Sequence, residues 1–422
     1  MQAIVKPSVI SGIVQAPPSK SLMQRALVAG FLSRTKTVIK NPGRSDDDNA
    51  VLEIIKNLGA GVEIEEVITI ESNGLLPSSD ILSAGESGLA ARMLAPVAAL
   101  SSKEITLTGK GSLLKRPVAE LERVMKLLQV QVSSEKGFLP LKIKGPLVPA
   151  NIEIDGSGSS QYLTGLLMAF SAAGAKNVSI DVKNLKSKPY IELTLQVMRD
   201  FGMKVPQNHN FHSFYFGDED VMRRGQIEYA IEGDWSGAAF LLAAGAIAGD
   251  VTVNGVQSFS LQSDKLIMQA LMQAGAVLSV EEKQVYIKRY KLKAFHFNAV
   301  DAPDLFPPLA ALAAVCEGTS VMEGVHRLEH KESNRALSLV MELEKFGVDI
   351  KIQDDLLVIR GGNPLKGCRV FSHNDHRIAM ACAILGLVAE GETIINGAGS
   401  VNKSYPDFFK HLELLGANVS LH

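Results

Sequence analysis

Cysteine is scarce in this chain: three in 422 residues, Cys316, Cys368 and Cys382, with no CxxC pair and each in an apolar or strand-like setting. A disulfide framework and a cysteine-bound structural zinc are therefore not expected, and a reducing, cytoplasmic compartment is. An excess of charge of one sign is missing too. The 43 Lys and Arg stand against 45 Asp and Glu, a formal net charge of -2. That balance speaks against a general nucleic-acid or membrane-surface binder and makes any basic site a local one. No charge-free apolar run of 18 residues occurs, and the opening MQAIVKPSVISGIVQAPPSK lacks a basic start followed by a long apolar stretch. Neither a membrane span nor a secretory signal is expected. GxxxxGK[ST] occurs nowhere; DGSGSSQ resembles half of a dinucleotide loop, with Asp181 about 20 residues on, but Gln161 replaces its third glycine. Nucleotide binding through either motif is not expected. Aromatics do not interleave the basic positions, which weakens a single-strand-binding reading, and the one tryptophan, Trp235, is expected to fill core or domain-boundary space.

What the chain does have is an internal repeat. One segment type opens with polar residues, runs on through small apolar ones and ends in a short β-branched stretch, as in SKSLMQRALVAGFLSRTKTVIKN or DWSGAAFLLAAGAIAGDVTVNG, and six copies align. Between them lie six ordinary amphipathic helix-strand segments, such as SDDDNAVLEIIKNLGAGVEI, starting near 45, 116, 188, 263, 331 and 403, a period of about 70 residues. That period suits a βαβαββ unit. Helices of the first type are apolar almost all round and belong inside a core, so the sheets must lie outside them. The pattern predicts a two-domain, inside-out α/β barrel of six βαβαββ repeats, three per domain, with buried helices and outer sheets. The expected boundaries are 18–231 for one domain and 1–17 with 232–422 for the other, the opening strand completing a sheet of the C-terminal half.

Cations recur where these helices are expected to start. Lys20, Ser21 and Arg25 open the first buried helix, Arg92 lies one turn into the second, and Ser159, Ser160 and Gln161 start the third. Arg116, Lys188, Lys331 with Arg335, His376 with Arg377, and Lys403 hold similar places in other repeats. A single such residue is ordinarily a solvated surface charge. In a first turn, however, a cation opposes the helix dipole, so the recurrence calls for compensating anions. Directed at one interdomain cleft, the set would suit two ligands carrying phosphate or carboxylate groups. Asp304 and Glu332 occupy helix-start positions as well; N-capping and acid/base chemistry are both open for them. HNDHR spaces His373 and His376 three apart, but without further ligands no metal site is expected.

The stretches PPSKSLMQRAL, SGLAARML, LLKRPV, GSGSSQYLTGLLMA, SKPYIELT, PDLFPPLAALA, HKESNRA, DHRIAMA and KSYPDFF, in this order over the whole chain, together resemble the EPSP synthase family. The resemblance implies transfer of the enolpyruvyl group of phosphoenolpyruvate to the 5-hydroxyl of shikimate 3-phosphate, a step of the shikimate pathway to chorismate and aromatic amino acids. It implies no metal or cofactor, a cytoplasmic monomer, and two domains that close on the ligands. Position by position, Lys20 would touch both substrates, and Ser21, Arg25, Ser159, Ser160, Ser187 and Tyr190 would hold shikimate 3-phosphate. Gln161 would lie between the two substrates, and Lys331 would reach the ring hydroxyls. Arg116, Arg335, Arg377 and Lys403, with the backbone at Gly88, would bind phosphoenolpyruvate. Asp304 would take the 5-hydroxyl proton, and Glu332 with Lys20 would move a proton at the methylene carbon. Three positions depart from the family pattern: Glu86 for Asn, Leu89 for Thr and Asn334 for Asp. The alternative is the enolpyruvyl transferase of the same fold that acts on UDP-N-acetylglucosamine, whose usual cysteine is absent from GKGSLLKR and whose Lys-Asn pair is absent from the first motif. A non-catalytic anion-binding repeat protein would need neither Asp304 nor Glu332.

Overall fold

The computed structural model describes residues 1–219, 225–329 and 331–422; His330, within the HKESNRA stretch, lies outside them. The chain divides into two compact units, Met1–Ser19 with Glu232–His422, and Lys20–Ile231.

One order of parallel and antiparallel neighbours recurs in every sheet. In the second unit, strand Ile81–Ser83 pairs in parallel with Glu104–Thr108, and the helix Gly88–Ala98 supplies the crossover that a parallel pair requires. The amphipathic helix Ala119–Leu127 follows, and a hairpin of Gln131–Glu135 and Phe138–Lys144 completes the sheet, with Phe138–Lys144 antiparallel to Glu104–Thr108. Two more four-stranded sheets of the same order lie in this unit and three in the other.

Sequence order is broken at the unit ends. Thr37–Lys40 takes its parallel partner from Ile227–Ala230, at the far end of its unit. In the other unit, Gln2–Val5 inserts between Thr393–Asn396 and Val419–Leu421, and Ile10–Gln15 pairs in parallel with Gly249–Asn254. The opening strands thus complete two sheets whose remaining strands come from the C-terminal half.

The two helix types go where their composition sends them. All 14 residues of Trp235–Ala248 are buried, as are all 11 of Gly88–Ala98 and all 11 of His376–Gly386. By contrast, Ala119–Leu127 buries only Leu121, Val124 and Met125. Strands alternate: Leu139, Leu141 and Ile143 of Phe138–Lys144 face inward, while Phe138, Lys142 and Lys144 face water. Each unit therefore has helices within and sheets without. Close approach depends on small residues. A Cβ at Gly165 would stand 2.6 Å from the Met93 carbonyl oxygen, so the contact between Gln161–Ala172 and Gly88–Ala98 needs glycine there. Trp235 is at 0% exposure and donates its indole N–H to the Gln257 carbonyl at 3.0 Å. Among the described residues, no helix is long and apolar enough to cross a membrane.

Candidate active site

In the Lys20–Ile231 unit, the beginnings of the three buried helices gather polar groups. Lys20, first residue of Lys20–Ser33, places Nζ 2.8 Å from Asp47 Oδ2, in the first turn of Asp46–Asn57. One turn on, Arg25 is buried at 2% exposure. Its Nε donates to Thr194 Oγ1 at 2.9 Å, its Nη1 to the Ser21 carbonyl at 2.7 Å and its Nη2 to the Tyr190 carbonyl at 3.4 Å. The guanidinium also stands over the Tyr190 ring, 5.8 Å from its centroid. All these partners are neutral. Burial without a carboxylate pushes the Arg25 pKa down to about 10.

Arg92 and Arg116 converge on Gly88. A Cβ there would lie 2.8 Å from Arg116 Nη1, 2.9 Å from Arg92 Nη1 and 3.6 Å from Gln161 Oε1. Ser87 caps the helix by accepting from Ala90 N at 3.2 Å, which leaves the first-turn N–H groups aimed at the same corner. Arg92 donates to Gln161 Oε1 at 3.0 Å and stacks over Tyr162, while its buried Nε has no hydrogen-bond partner. Ser159 accepts from Gln161 N at 3.2 Å, and Ser160 is buried beside it. Ser187, just before Lys188–Asp200, is buried with φ at +54°, a left-handed conformation that non-glycine residues adopt at a cost. Two guanidiniums, a dipole and an amide in one corner form an anion-binding arrangement.

The other unit holds a denser, mixed cluster around Asp304. Its Oδ1 accepts from Arg335 Nη1 at 2.7 Å and Lys331 Nζ at 3.2 Å, and its Oδ2 from Arg377 Nη2 at 3.2 Å. Arg335 is at 0% exposure and bonds two further carboxylates, Glu332 at 2.5 Å and Asp375 at 2.9 Å. Asp375 also caps His376–Gly386 by accepting from Arg377 N at 3.0 Å. Lys403 Nζ donates to the Asn374 carbonyl at 2.7 Å. Burial alone would raise the Asp304 pKa, but Arg377, Lys331 and Arg335 outweigh it and hold the carboxyl well below the usual range. Burial lowers the Lys331 pKa, and against a similar penalty Asp304 raises that of Arg377. Asp264, hydrogen-bonded to Ser236, goes the other way: burial and the like charge of Asp304 raise it. A carboxylate kept ionised among three cations, at 24% side-chain exposure, can accept a proton from a ligand that reaches it.

Several expectations need correction. Arg116, Lys331 and Lys403 do not open helices. Arg116 is extended after the 3₁₀ turn Gly111–Lys115, as the following Pro117 requires. Lys331 precedes Asn334, whose side chain caps Arg335–Leu343 at Leu337 N, so the helix starts four residues later than Lys331. Lys403 ends the turn Ala398–Lys403, with Pro406 soon after. Asp304 directs both oxygens to cations, so the N-capping alternative falls. Nor do Lys20, Lys331, Arg335 and Arg377 await an external anion, since Asp47, Asp304, Glu332 and Asp375 compensate them. Asp47, Asp264 and Asp375 escaped the sequence reading because Asp near a helix start is explained by capping alone. His373 bonds Glu342 at 2.7 Å, and no group of three or more His, Cys, Asp or Glu among the described residues is arranged to hold a metal.

The chain matches the family model described as EPSP synthase (3-phosphoshikimate 1-carboxyvinyltransferase) over residues 4–412. It is 36% identical over 428 residues to the 3-phosphoshikimate 1-carboxyvinyltransferase of Methanocorpusculum labreanum, covering 99% of each chain. To the protein of the same name from Pyrococcus abyssi it is 39% identical over 404 residues, covering 96% of this chain and 94% of that one. The solved structure of EPSP synthase from Acinetobacter baumannii superposes with a TM-score of 0.83 at 27% identity, covering 100% of both chains.

Proposed function

The chain belongs to the EPSP synthase (3-phosphoshikimate 1-carboxyvinyltransferase) family, and from that premise we infer that it transfers the enolpyruvyl group of phosphoenolpyruvate to the 5-hydroxyl of shikimate 3-phosphate. The structural observation that carries the reading is Asp304, ionised and partly exposed among Lys331, Arg335 and Arg377. As the hydroxyl oxygen attacks carbon 2 of phosphoenolpyruvate, Asp304 takes its proton. Glu332 with Lys20 moves a proton to the methylene carbon, the Lys20 ammonium being its source. The resulting tetrahedral adduct returns a methyl proton to the same Glu332–Lys20 pair and expels phosphate, leaving the enol ether. General acid/base steps of this kind contribute about 10²- to 10⁴-fold, and positioned charges contribute more.

Ligand charge also tunes the base. A carboxylate held well below its usual range by three cations is a weak base; an anion engaging Arg377 and Lys331 would share their charge and return basicity to Asp304 when substrate is present. The assigned ligands of shikimate 3-phosphate are Lys20, Ser21, Arg25, Ser159, Ser160, Gln161, Ser187, Tyr190, Asp304 and Lys331. Those of phosphoenolpyruvate are Lys20, Gly88, Arg116, Gln161, Arg335, Arg377 and Lys403. The neutral cradle of Arg25 and the corner at Gly88 support these assignments. The chain is expected to act as a cytoplasmic monomer.

The test is phosphate release when both substrates are mixed with the protein, against each alone. Release with UDP-N-acetylglucosamine in place of shikimate 3-phosphate would favour the related transferase, and release with neither acceptor would overturn the reading.

A further inference from the structure

The helix Arg335–Leu343 grips the segment Phe371–Arg377 at two points, one near each of its ends. At its N-terminus, Arg335 Nε bonds Asp375 Oδ2 at 2.9 Å. At its C-terminal end, Glu342, at 1% exposure, bonds His373 Nε2 through Oε1 at 2.7 Å and accepts from Phe371 N through Oε2 at 2.9 Å. Lys345 Nζ, 2.7 Å from Oε2, pairs with the Glu342 carboxylate. Between the two grips, His373 and Asn374 are consecutive left-handed residues, with φ of +52° and +57°. Neither is glycine, so this bend persists only because its surroundings over-determine it. Ser372 contributes, its Oγ accepting from Asn374 N at 3.2 Å and its carbonyl from Asp375 N at 2.8 Å.

What the bend presents are groups of the candidate site. The Asn374 carbonyl receives Lys403 Nζ, Asp375 receives Arg335 and caps the helix that starts with His376, and Arg377 reaches Asp304. Glu342 and His373 are not among the assigned ligands, yet they fix the backbone that carries Arg377 and the groups that hold Lys403 and Arg335.

We propose that the pair formed by buried Glu342 and partly exposed His373 is a positioning device that sets the Ser372–Asp375 bend and thereby the placement of Lys403 and Arg377 for the anionic co-substrate. It rests on the reading of the site as the phosphoenolpyruvate site. His373→Ala removes the side-chain half of the second grip and leaves Glu342 with Lys345 and Phe371 N, so the fold survives. The expected result is a rise of about ten-fold in KM for phosphoenolpyruvate with KM for shikimate 3-phosphate within about two-fold of wild type, because small misplacements of aimed groups are costly. His373→Gln, whose amide N–H can again reach Glu342, restores most of the loss. In the unliganded protein, amide hydrogen exchange over residues 372–377 quickens in the Ala variant and returns in the Gln variant. Equal rises in both KM values, or unchanged exchange over that segment, would overturn the proposal. Absence of phosphate release from the wild type would overturn the assigned reaction instead, and the exchange comparison would still decide the positioning role.

Discussion

Asp304 and Arg335 share a 2.7 Å hydrogen-bonded ion pair in which the arginine is wholly enclosed and the aspartate is 24% exposed. The asymmetry divides their work. Arg335 bonds Asp304, Glu332 and Asp375, fixing all three in place, while Asp304 keeps a face open to a ligand.

Asp304→Asn is therefore expected to fold, because Arg335 retains two carboxylates, and to lose about 10²- to 10⁴-fold in kcat through loss of the proton acceptor. Near-wild-type turnover in this variant would show that the base is elsewhere. The pair also has a pH signature. The Asp304 carboxyl is held below its unfolded value, so its contribution to stability is present above that value and is lost as pH falls through the folded one. Asp304→Asn should thus flatten the acid limb of a thermal-denaturation series relative to wild type.

Arg25 presents the opposite case, a buried cation held by neutral partners. Arg25→Met leaves Thr194 satisfied by Thr164 and the Tyr190 carbonyl. The ligand-free melting temperature should stay within about 2 °C of wild type or rise, since a desolvated charge has been removed. KM for shikimate 3-phosphate should rise by at least about 30-fold, the scale for losing a desolvated charge contact. A large drop in the ligand-free melting temperature with KM unchanged would make Arg25 structural.

Gly88→Ala places a methyl 2.8 Å from Arg116 Nη1 and 2.9 Å from Arg92 Nη1. The ends of long side chains can give way, so the fold should survive with both guanidiniums displaced. The expected outcome is a rise of about ten-fold in KM for phosphoenolpyruvate and little change for shikimate 3-phosphate. An unchanged KM for phosphoenolpyruvate would remove this corner from its binding site.

Much of this was legible in the sequence, for reasons that differ by feature. The repeat was visible because a helix buried on every side, such as Trp235–Ala248, cannot carry the polar face that Ala119–Leu127 needs. The cations were visible because Lys and Arg are unusual in a first turn. Their compensation was not, because it is a matter of tertiary pairing: Arg335 meets Asp375 across 40 residues, and Arg377 meets Asp304 across 73. Local rules misled in turn. Reading Lys331 and Lys403 as helix starts ignored the cap at Asn334 and the break at Pro406, which shift the helices downstream.

Asp48 carries a prediction about pH that the chemistry of the site does not require. It completes a capping box with Ser45 at the start of Asp46–Asn57, its Oδ2 accepting from Ser45 N at 3.1 Å and from Ser45 Oγ at 2.6 Å. Its Oδ1 is buried with no hydrogen-bond partner. Burial pushes its pKa up to about 7 from 3.8, with Ser45 and Lys20 only partly offsetting the penalty. The stability tied to the protonated form is therefore complete below 3.8 and is lost as pH rises through about 7. Asp48→Asn keeps an acceptor for Ser45 and cannot ionise. Its melting temperature should match the wild type near pH 4 and exceed it by about 3 °C or more at pH 8, where the wild type bears a buried carboxylate. If the two proteins lose stability in parallel over that range, the proton is not on Asp48, and the capping box tolerates a full charge beside the Lys20–Asp47 pair.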